Sequence, residues 1–532
     1  MGLTIMLISN GAGIASLGGA ILSMGMFSFS PLIWQYAITA EVFPLNTFFA
    51  ALLIYLVVQC QYRKSTLLVA LGAFICGLAL CNQHTIILYE IPLVVWILLL
   101  NVKEIRQKPQ LLVIYGGLFL LGFSLYAYLP IASTVVDAAG GWGHVKTITG
   151  FLNHILRSDY GTFQLYSGSG GKGSESFMFR SVAYMKDLYS HQGLYFSPLM
   201  ALYGVCHWCY HSGNNCETII DVSTIDGSQS KSKGVNSFSA TISRKKKTIP
   251  WYDIEYSKYT PVAIAFAQFF YFGVFHSLSN LPLSDKLLYG IHQRFWMQPN
   301  VVTFIWVGIG FNAILDFVAC KVFISKSVGK QPQPERLAAK GFSAKLAIIS
   351  VAIALLISFR QYSVHYEMTN QRDNVYFNHY ARAILDPLPQ NAVLFVNYDM
   401  QWTAIRYVQQ CEGFRKDVTS INLSMMSFLW FKYKHSHYPN LIFPGTHYNV
   451  PREGSDPFTM FSFLEANKNL SGVFLVGKLS ARDKYLNSNY EMVPFGLATQ
   501  FIRSDNVDHP LLNADKYGRA NLIAWQVLSQ SF

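Results

Sequence analysis

Residues 66 to 100 read TLLVALGAFICGLALCNQHTIILYEIPLVVWILLL, two apolar runs joined by five polar residues, Cys81 to Thr85. Each run approaches the roughly 20 residues that a bilayer span needs. The join between them is so short that Asn82, Gln83 and His84 must turn the chain at a membrane face. The stretch therefore reads as two consecutive membrane helices rather than one buried soluble helix. The rest of the chain repeats the pattern in runs such as TFFAALLIYLVV and LLVIYGGLFLLGFSLYAYLP.

The composition agrees. Of 532 residues, 52% are hydrophobic, 15% aromatic and only 13% charged, against roughly a quarter charged in soluble chains. The net charge of +12 does not imply nucleic acid, because Lys and Arg sit in short clusters beside apolar runs instead of along one soluble face. Six of the eight cysteines lie in or beside apolar runs, so no secreted disulfide framework is expected. CHWCYH (206–211) has a Cys-x-x-Cys spacing but no second ligand pair, and it reads as packing rather than a metal site.

Apolar spans are expected near 12–34, 44–60, 65–81, 85–101, 110–130, 194–212, 259–278, 300–322 and 342–359. Strict alternation puts QYRK, KEIRQK, RKKK, and KVFISKSVGK with ERLAAK on one side, which the positive-inside rule makes cytosolic. The opposite, lumenal side receives Glu41, the turn at Asn82 to His84, loops 131–193 and 279–299, and everything after Arg360. A disordered cytosolic linker is expected near 213–250. The expected domains are thus a multi-span unit, 1–360, and a soluble α/β domain, 361–532. In the latter, NAVLFVNYD (391–399), DVTSINL and SGVFLVGKL (471–479) read as strands, and WTAIRYVQQCEG (402–413) as a helix ending at Gly413, which makes a β-α-β unit. The sequons at Asn422 and Asn469 fall in this domain and are glycosylation candidates.

Ionisable groups at a membrane edge are functional candidates because their desolvation is costly. Glu41 emerges beside a span; its bland reading is an interfacial carboxylate facing water. Glu90 lies inside a span and reads mostly as structural. Asn82, Gln83 and His84 offer more hydrogen-bonding groups than a helix cap needs. Loop 131–193 holds Trp142, an amphipathic helix near 147–157, and Asp159 and Tyr160, with Trp142 and Tyr160 able to dock on the bilayer interface. Arg294 precedes a span, where its planar fork suits a phosphate and snorkelling is the plain alternative. One face bearing carboxylates, amides, histidines and an arginine suits an enzyme using a lipid-phosphate donor. A transporter would instead set polar groups at the bilayer midplane in broken helices.

The runs SPLIWQYAITAEVFPLN (30–46), GLALCNQHTIILY (77–89), YAYLPIAS (126–133), GFLNHILRSDYGTF (150–163), RFWMQPN (294–300) and QQCEGFRKDV (409–418) resemble the transmembrane protein 260 family. These are protein O-mannosyltransferases of the endoplasmic reticulum. The resemblance implies a polytopic α-helical protein of the C-type glycosyltransferase (GT-C) fold with a C-terminal lumenal α/β domain, multi-pass in the endoplasmic reticulum membrane. It implies dolichyl-phosphate mannose as donor, no other cofactor and no metal. The acceptors it implies are Ser or Thr hydroxyls on immunoglobulin-like ectodomains of plexin and hepatocyte-growth-factor-receptor type proteins. Within it, Glu41 is assigned to the catalytic machinery, Asn82, Gln83, His84 and Arg294 to the donor, and Trp142, Asp159 and Tyr160 to the loop. The family also carries an earlier acidic Gly-Asp-Ser-Gly-Glu loop that supplies its expected base, and no such motif occurs in this sequence. The expectation is an N-terminally truncated member, with an inactive form that binds donor or acceptor as the alternative to an active enzyme.

Overall fold

The computed structural model describes residues 1–9, 14–136, 138–158, 175–218, 259–327, 335–448, 456–479, 483–505 and 514–530. The expected linker 213–250 therefore lies mostly outside the described residues. Two compact units divide the chain: Met1–Tyr126 with Phe163–Asn370, and Ala127–Thr162 with Gln371–Phe532.

The first unit is helical. Its helices are α1 (Gly2–Ile8), α2 (Ile14–Ser28), α3 (Pro31–Ala37), α4 (Phe43–Tyr62), α5 (Thr66–Asn82), α6 (Ile87–Leu100), α7 (Val102–Gln107) and α8 (Gln110–Phe123). After α9 (Tyr128–Val135) and α10 (Ile148–Ile155), which belong to the second unit, it continues with α11 (Phe177–Asp187), α12 (Ser197–Thr218), α13 (Thr260–Leu278), α14 (Lys286–Gln293), α15 (Met297–Ser327) and α16 (Glu335–Thr369). Each expected span overlaps helix, although 12–34 takes in both α2 and α3, 110–130 runs from α8 into α9, and not every helix is a full span. Among the described residues five are long and apolar enough to cross a bilayer: 43–62, 110–135, 260–278, 286–318 and 345–369. Thr66–Asn82 and His84–Leu100 are apolar but short, because the polar turn between them shortens both. The chain is a polytopic membrane protein.

A sixth span is broken. Ser16–Ser28 and Pro31–Ala37 meet at 67°, because Pro31 has no N–H to give and its ring clashes with the carbonyl one turn back. It is the single bent pair among the described residues, whereas inverted-repeat transporters set two broken helices against each other. Close helix crossings run over glycine, as expected where bilayer helices must pack by contact alone. A Cβ on Gly77 of α5 would lie 2.1 Å from the Phe119 carbonyl of α8, and one on Gly204 of α12 would lie 2.0 Å from the Trp306 carbonyl of α15.

The second unit is built on a five-stranded sheet of order β2-β1-β5-β7-β6, with β1 (Val393–Val396), β2 (Thr419–Asn422), β5 (Val473–Val476), β6 (Tyr490–Phe495) and β7 (Ala498–Arg503). The short strands β3 (His447–Tyr448) and β4 (Pro457–Phe458) pair separately. β1 runs parallel to both β2 and β5, and the β6–β7 hairpin adds antiparallel to β5. Period-two alternation splits β1 and β5 between two cores. Leu394, Val396, Phe474 and Val476 pack with α17 (Tyr376–Leu385) and α18 (Asp399–Gln410), while Val393, Phe395, Val473 and Leu475 pack with Phe431, Phe463 and Leu464 on the other face. The expected β-α-β unit is present as β1-α18-β2, and the chain leaves α18 through Gly413 at φ +74°, a left-handed position that suits glycine.

Candidate functional site

The polar turn at residues 81 to 85 has a definite geometry. α5 stops at Asn82, Gln83 is fully extended, and a 3-10 turn over His84–Ile86 starts α6. Asn82 does not cap its own helix. Its Nδ2 donates to the Val42 carbonyl at 2.9 Å, tying the end of α5 to the residue next to Glu41. Gln83 Oε1 accepts from Gln298 Nε2 at 3.3 Å, and Gln298 Oε1 in turn lies 2.5 Å from the buried Tyr271 hydroxyl.

Glu41 and Arg294, 253 residues apart, form an ion pair: Arg294 Nη1 to Glu41 Oε1 is 3.0 Å. Arg294 Nε donates to the Tyr36 hydroxyl at 3.0 Å, and the guanidinium lies 5.3 Å from the Tyr36 ring centroid. The remaining nitrogen, Nη2, makes no hydrogen bond among the described residues. The two side chains are 28% and 35% exposed, so a water-accessible anion can reach them. Such a fork, oriented by an aromatic and a carboxylate with one face unspent, is chemically suited to a phosphate.

Four sequence candidates, Glu41, Asn82, Gln83 and Arg294, thus meet at one set of helix ends in the first unit. The others do not join them. His84 Nε2 lies 2.7 Å from the Tyr126 hydroxyl, which itself donates to the Leu80 carbonyl, so His84 fastens α5 to the end of α8 instead of facing the clamp. Trp142 packs within the protein. It belongs to the second unit, where its ring meets Phe428 and Trp430 at 5.0 and 5.4 Å. Asp159 and Tyr160 lie outside the described residues. Asn422 is buried at the end of β2 and its Oδ1 accepts from Met425 N, which closes that sequon in the folded unit. Asn469 stands exposed on a turn. Glu90 is 4% exposed, with one carboxyl oxygen unpartnered among the described residues, in an apolar cavity of about 80 Å³ lined by Leu53, Val57, Val69, Leu93 and Tyr115.

Two groups that no sequence motif marks support the clamp. Arg180, fully buried on α11, donates Nη2 to the Leu281 carbonyl at 2.8 Å and lies 3.4 Å from Ser279 Oγ and from His292 Nδ1. Burial works to raise the carboxyl of its partner Glu175. The N–H groups of Leu283 and Ser284 together with Arg180 outweigh that burial and hold it below the ordinary range. This latch fixes the segment that leads into α14. Asp187, the last residue of α11, is 4% exposed and accepts from Gln293 Nε2 at 2.9 Å and Gln192 Nε2 at 3.1 Å. Burial pushes its carboxyl up, against the opposing pull of His191 and the two amides. The available signal is small: an acid five residues before Gln192-Gly193, the spacing of one π-helical turn (Leu188–Gln192).

Parts of the chain match known proteins. The family description "Protein O-mannosyl-transferase TMEM260 N-terminal domain" matches residues 4–107, and "TMEM260-associated domain 2" matches 377–438. The chain is 30% identical over 502 residues to "Protein O-mannosyl-transferase TMEM260" of Mus musculus, covering 92% of this chain and 62% of that protein. It is 29% identical over 499 residues to "Protein O-mannosyl-transferase tmem260" of Dictyostelium discoideum, covering 91% of this chain and 54% of that one. The chain is similar to the TMEM260 proteins over these two regions and along most of its own length. It spans between half and two thirds of the length of these TMEM260 relatives. No solved structure matches it. The first matched region contains Tyr36, Glu41, Asn82 and Gln83, so four members of the clamp and its mounting sit in the TMEM260 N-terminal domain, and Arg294 comes to them from outside it.

Proposed function

We propose that this chain is a protein O-mannosyltransferase of the C-type glycosyltransferase fold. In this reading it works in the endoplasmic reticulum membrane, takes mannose from dolichyl-phosphate mannose, and passes it to Ser or Thr hydroxyls on lumenal immunoglobulin-like domains of plexin-type receptors. The second unit is then the lumenal α/β domain. The observation that carries the reading is the half-exposed Arg294 fork held between Tyr36 and Glu41. The activity in the names of both relatives supports it.

The chemistry follows from the geometry. Arg294 steadies the phosphate as the bond between the sugar's anomeric carbon and the phosphate oxygen breaks. The acceptor oxygen forms the new bond from the opposite face, with inversion, and gives its proton to a carboxylate. Phosphate and Glu41 compete for one guanidinium, so donor binding releases Glu41 to orient the acceptor hydroxyl. Asn82 keeps the Glu41 segment in place through Val42.

The test expresses the chain in cells that lack their own enzyme of this family and counts hexoses on a co-expressed plexin immunoglobulin-like domain by intact mass spectrometry. Added hexoses that fall at least about tenfold with Arg294→Ala are expected. A well-expressed chain that binds a polyprenyl phosphate but adds no hexose would make it a lipid-donor binder and sink the transferase reading.

A further inference from the structure

Arg294 does not hold its own position. The residue before it, Gln293, gives its amide to Asp187 Oδ1, and the residue five after Asp187, Gln192, gives its amide to Oδ2. Gln192 then uses its other end: Oε1 accepts from the backbone N–H of Leu32 at 3.2 Å, one of the unsatisfied donors in the first turn of α3. One turn further along α3 is Tyr36, whose hydroxyl holds Arg294 Nε. The contacts close a ring from Asp187 through Gln293 and Arg294 to Tyr36, and back through α3, Leu32 and Gln192. The Gln192 carbonyl also accepts from Gln361 Nε2 of α16, which pins the ring to a further helix.

The local backbone is shaped for this. A π-helical turn brings residues 187 and 192 onto one face, where an α-helical turn would separate them. Gly193 is required at its end, since a Cβ there would lie 2.5 Å from Ser197 Cβ and 2.7 Å from the Leu188 carbonyl. The Asp187 carboxylate is only 4% exposed, and the imidazole that pairs with it, His191 Nδ1 at 3.3 Å, is on a 65% exposed side chain. Desolvating a carboxylate for two amide contacts is costly, and a cost carried one residue from a phosphate clamp points to a role in that clamp.

We propose that Asp187 is the positioning residue of the lipid-phosphate clamp, acting through Gln293 and Gln192 to fix the distance between Arg294 and Tyr36. The inference rests on the phosphate-clamp part of the reading above and not on sugar transfer. Asp187 touches neither substrate nor reacting atoms, so its removal weakens donor capture rather than the chemical step.

The test uses the full chain in detergent micelles, titrated with farnesyl phosphate, for the wild type, Asp187→Asn, Gln293→Leu, Arg294→Ala and the double variant Asp187→Asn/Arg294→Ala. Gln293→Leu breaks only the last link and stands in if Asp187→Asn fails to fold. Each single variant of the ring is expected to weaken binding about tenfold, raising the donor KM more than it lowers kcat. The double variant is expected to bind as Arg294→Ala does. Full additivity in the double variant, or unchanged binding in both ring variants, would overturn the inference. Normal phosphate binding without sugar transfer leaves it standing and sinks only the transferase reading. A folded wild type that does not bind farnesyl phosphate overturns the clamp and the inference together.

Discussion

Two arginines, one in each unit, show how differently the same side chain can be spent. Arg415 of the α/β unit uses every donor of its fork: Nε and Nη2 meet the two Asp417 oxygens at 2.9 Å, Nη1 meets the Leu385 and Asp386 carbonyls at 2.8 and 3.0 Å, and Nη2 also reaches the Pro389 carbonyl at 2.9 Å. Arg294 of the helical unit makes two hydrogen bonds and leaves Nη2 open among the described residues. A saturated guanidinium is a rivet that closes the end of α17 onto the loop into β2. An unsaturated one beside water is, on the proposed reading, a receptor.

The sharpest way to break the comparison is to remove the rivet. Arg415→Ala strands three carbonyls and a carboxylate that are part-buried to exposed, so each costs at or below the low end of the about 1–3 kcal/mol of a buried unfilled acceptor. A loss of about 3 kcal/mol is expected for the α/β unit, visible as early unfolding in a denaturant series followed by limited proteolysis of the full chain. Polyprenyl-phosphate binding by the intact fraction should be unchanged. If it fell with Arg415, the two arginines would not be doing separate jobs.

Arg294→Ala should give the reverse pattern. A half-exposed ion pair contributes about 0–1 kcal/mol, so thermal stability in detergent should barely move. Binding of a lipid phosphate should fall about 10- to 100-fold, the weight of a lost charge-assisted contact. Arg294→Lys should recover little of it, since a point charge lacks the planar fork that stays on Tyr36 while meeting two phosphate oxygens. A smaller effect is expected from Asn82→Ala. It removes one neutral hydrogen bond to Val42, worth about 1 kcal/mol, and should weaken binding by severalfold through the freedom it gives the Glu41 segment.

The contrast also separates what is legible in the sequence from what is not. The strands at 393–396 and 473–476 are legible because aliphatic and aromatic residues run without interruption between turn residues, and α18 is legible to its Gly413 end. These signals are local. Arg294 is legible as a basic fork ahead of a span, but its partner Glu41 is 253 residues away, and nothing in either neighbourhood encodes the other. Asp187 escapes notice for the same reason, since Gln293 lies 106 residues on. The partners of Trp142 are not legible, because an aromatic in a loop between spans has the same local pattern whether or not it meets residues as distant in sequence as Phe428 and Trp430.

The finest test of the rivet is its pH dependence. Asp417 is held down to about 2 from 3.8, chiefly by its hydrogen bonds from the Arg415 fork, against a small opposing pull from burial, with the Asn391 N–H and the Arg415 charge assisting. A carboxyl whose folded value lies below its unfolded value stabilises the fold above the unfolded value, and that stability is lost as pH falls toward the folded one. The contribution is therefore complete above about pH 5 and drains between about pH 4 and 2. Its size is limited, since the carboxylate is solvent-facing and screened, to less than about 1 kcal/mol. Wild type and Asp417→Asn should differ in urea midpoint at pH 6 and converge by pH 2, with the gap at pH 6 narrowing in 1 M salt as the Debye length shrinks to about 3 Å. A gap that persisted unchanged to pH 2 would mean that Arg415 is held by the three carbonyls alone and that the carboxylate adds shape without charge.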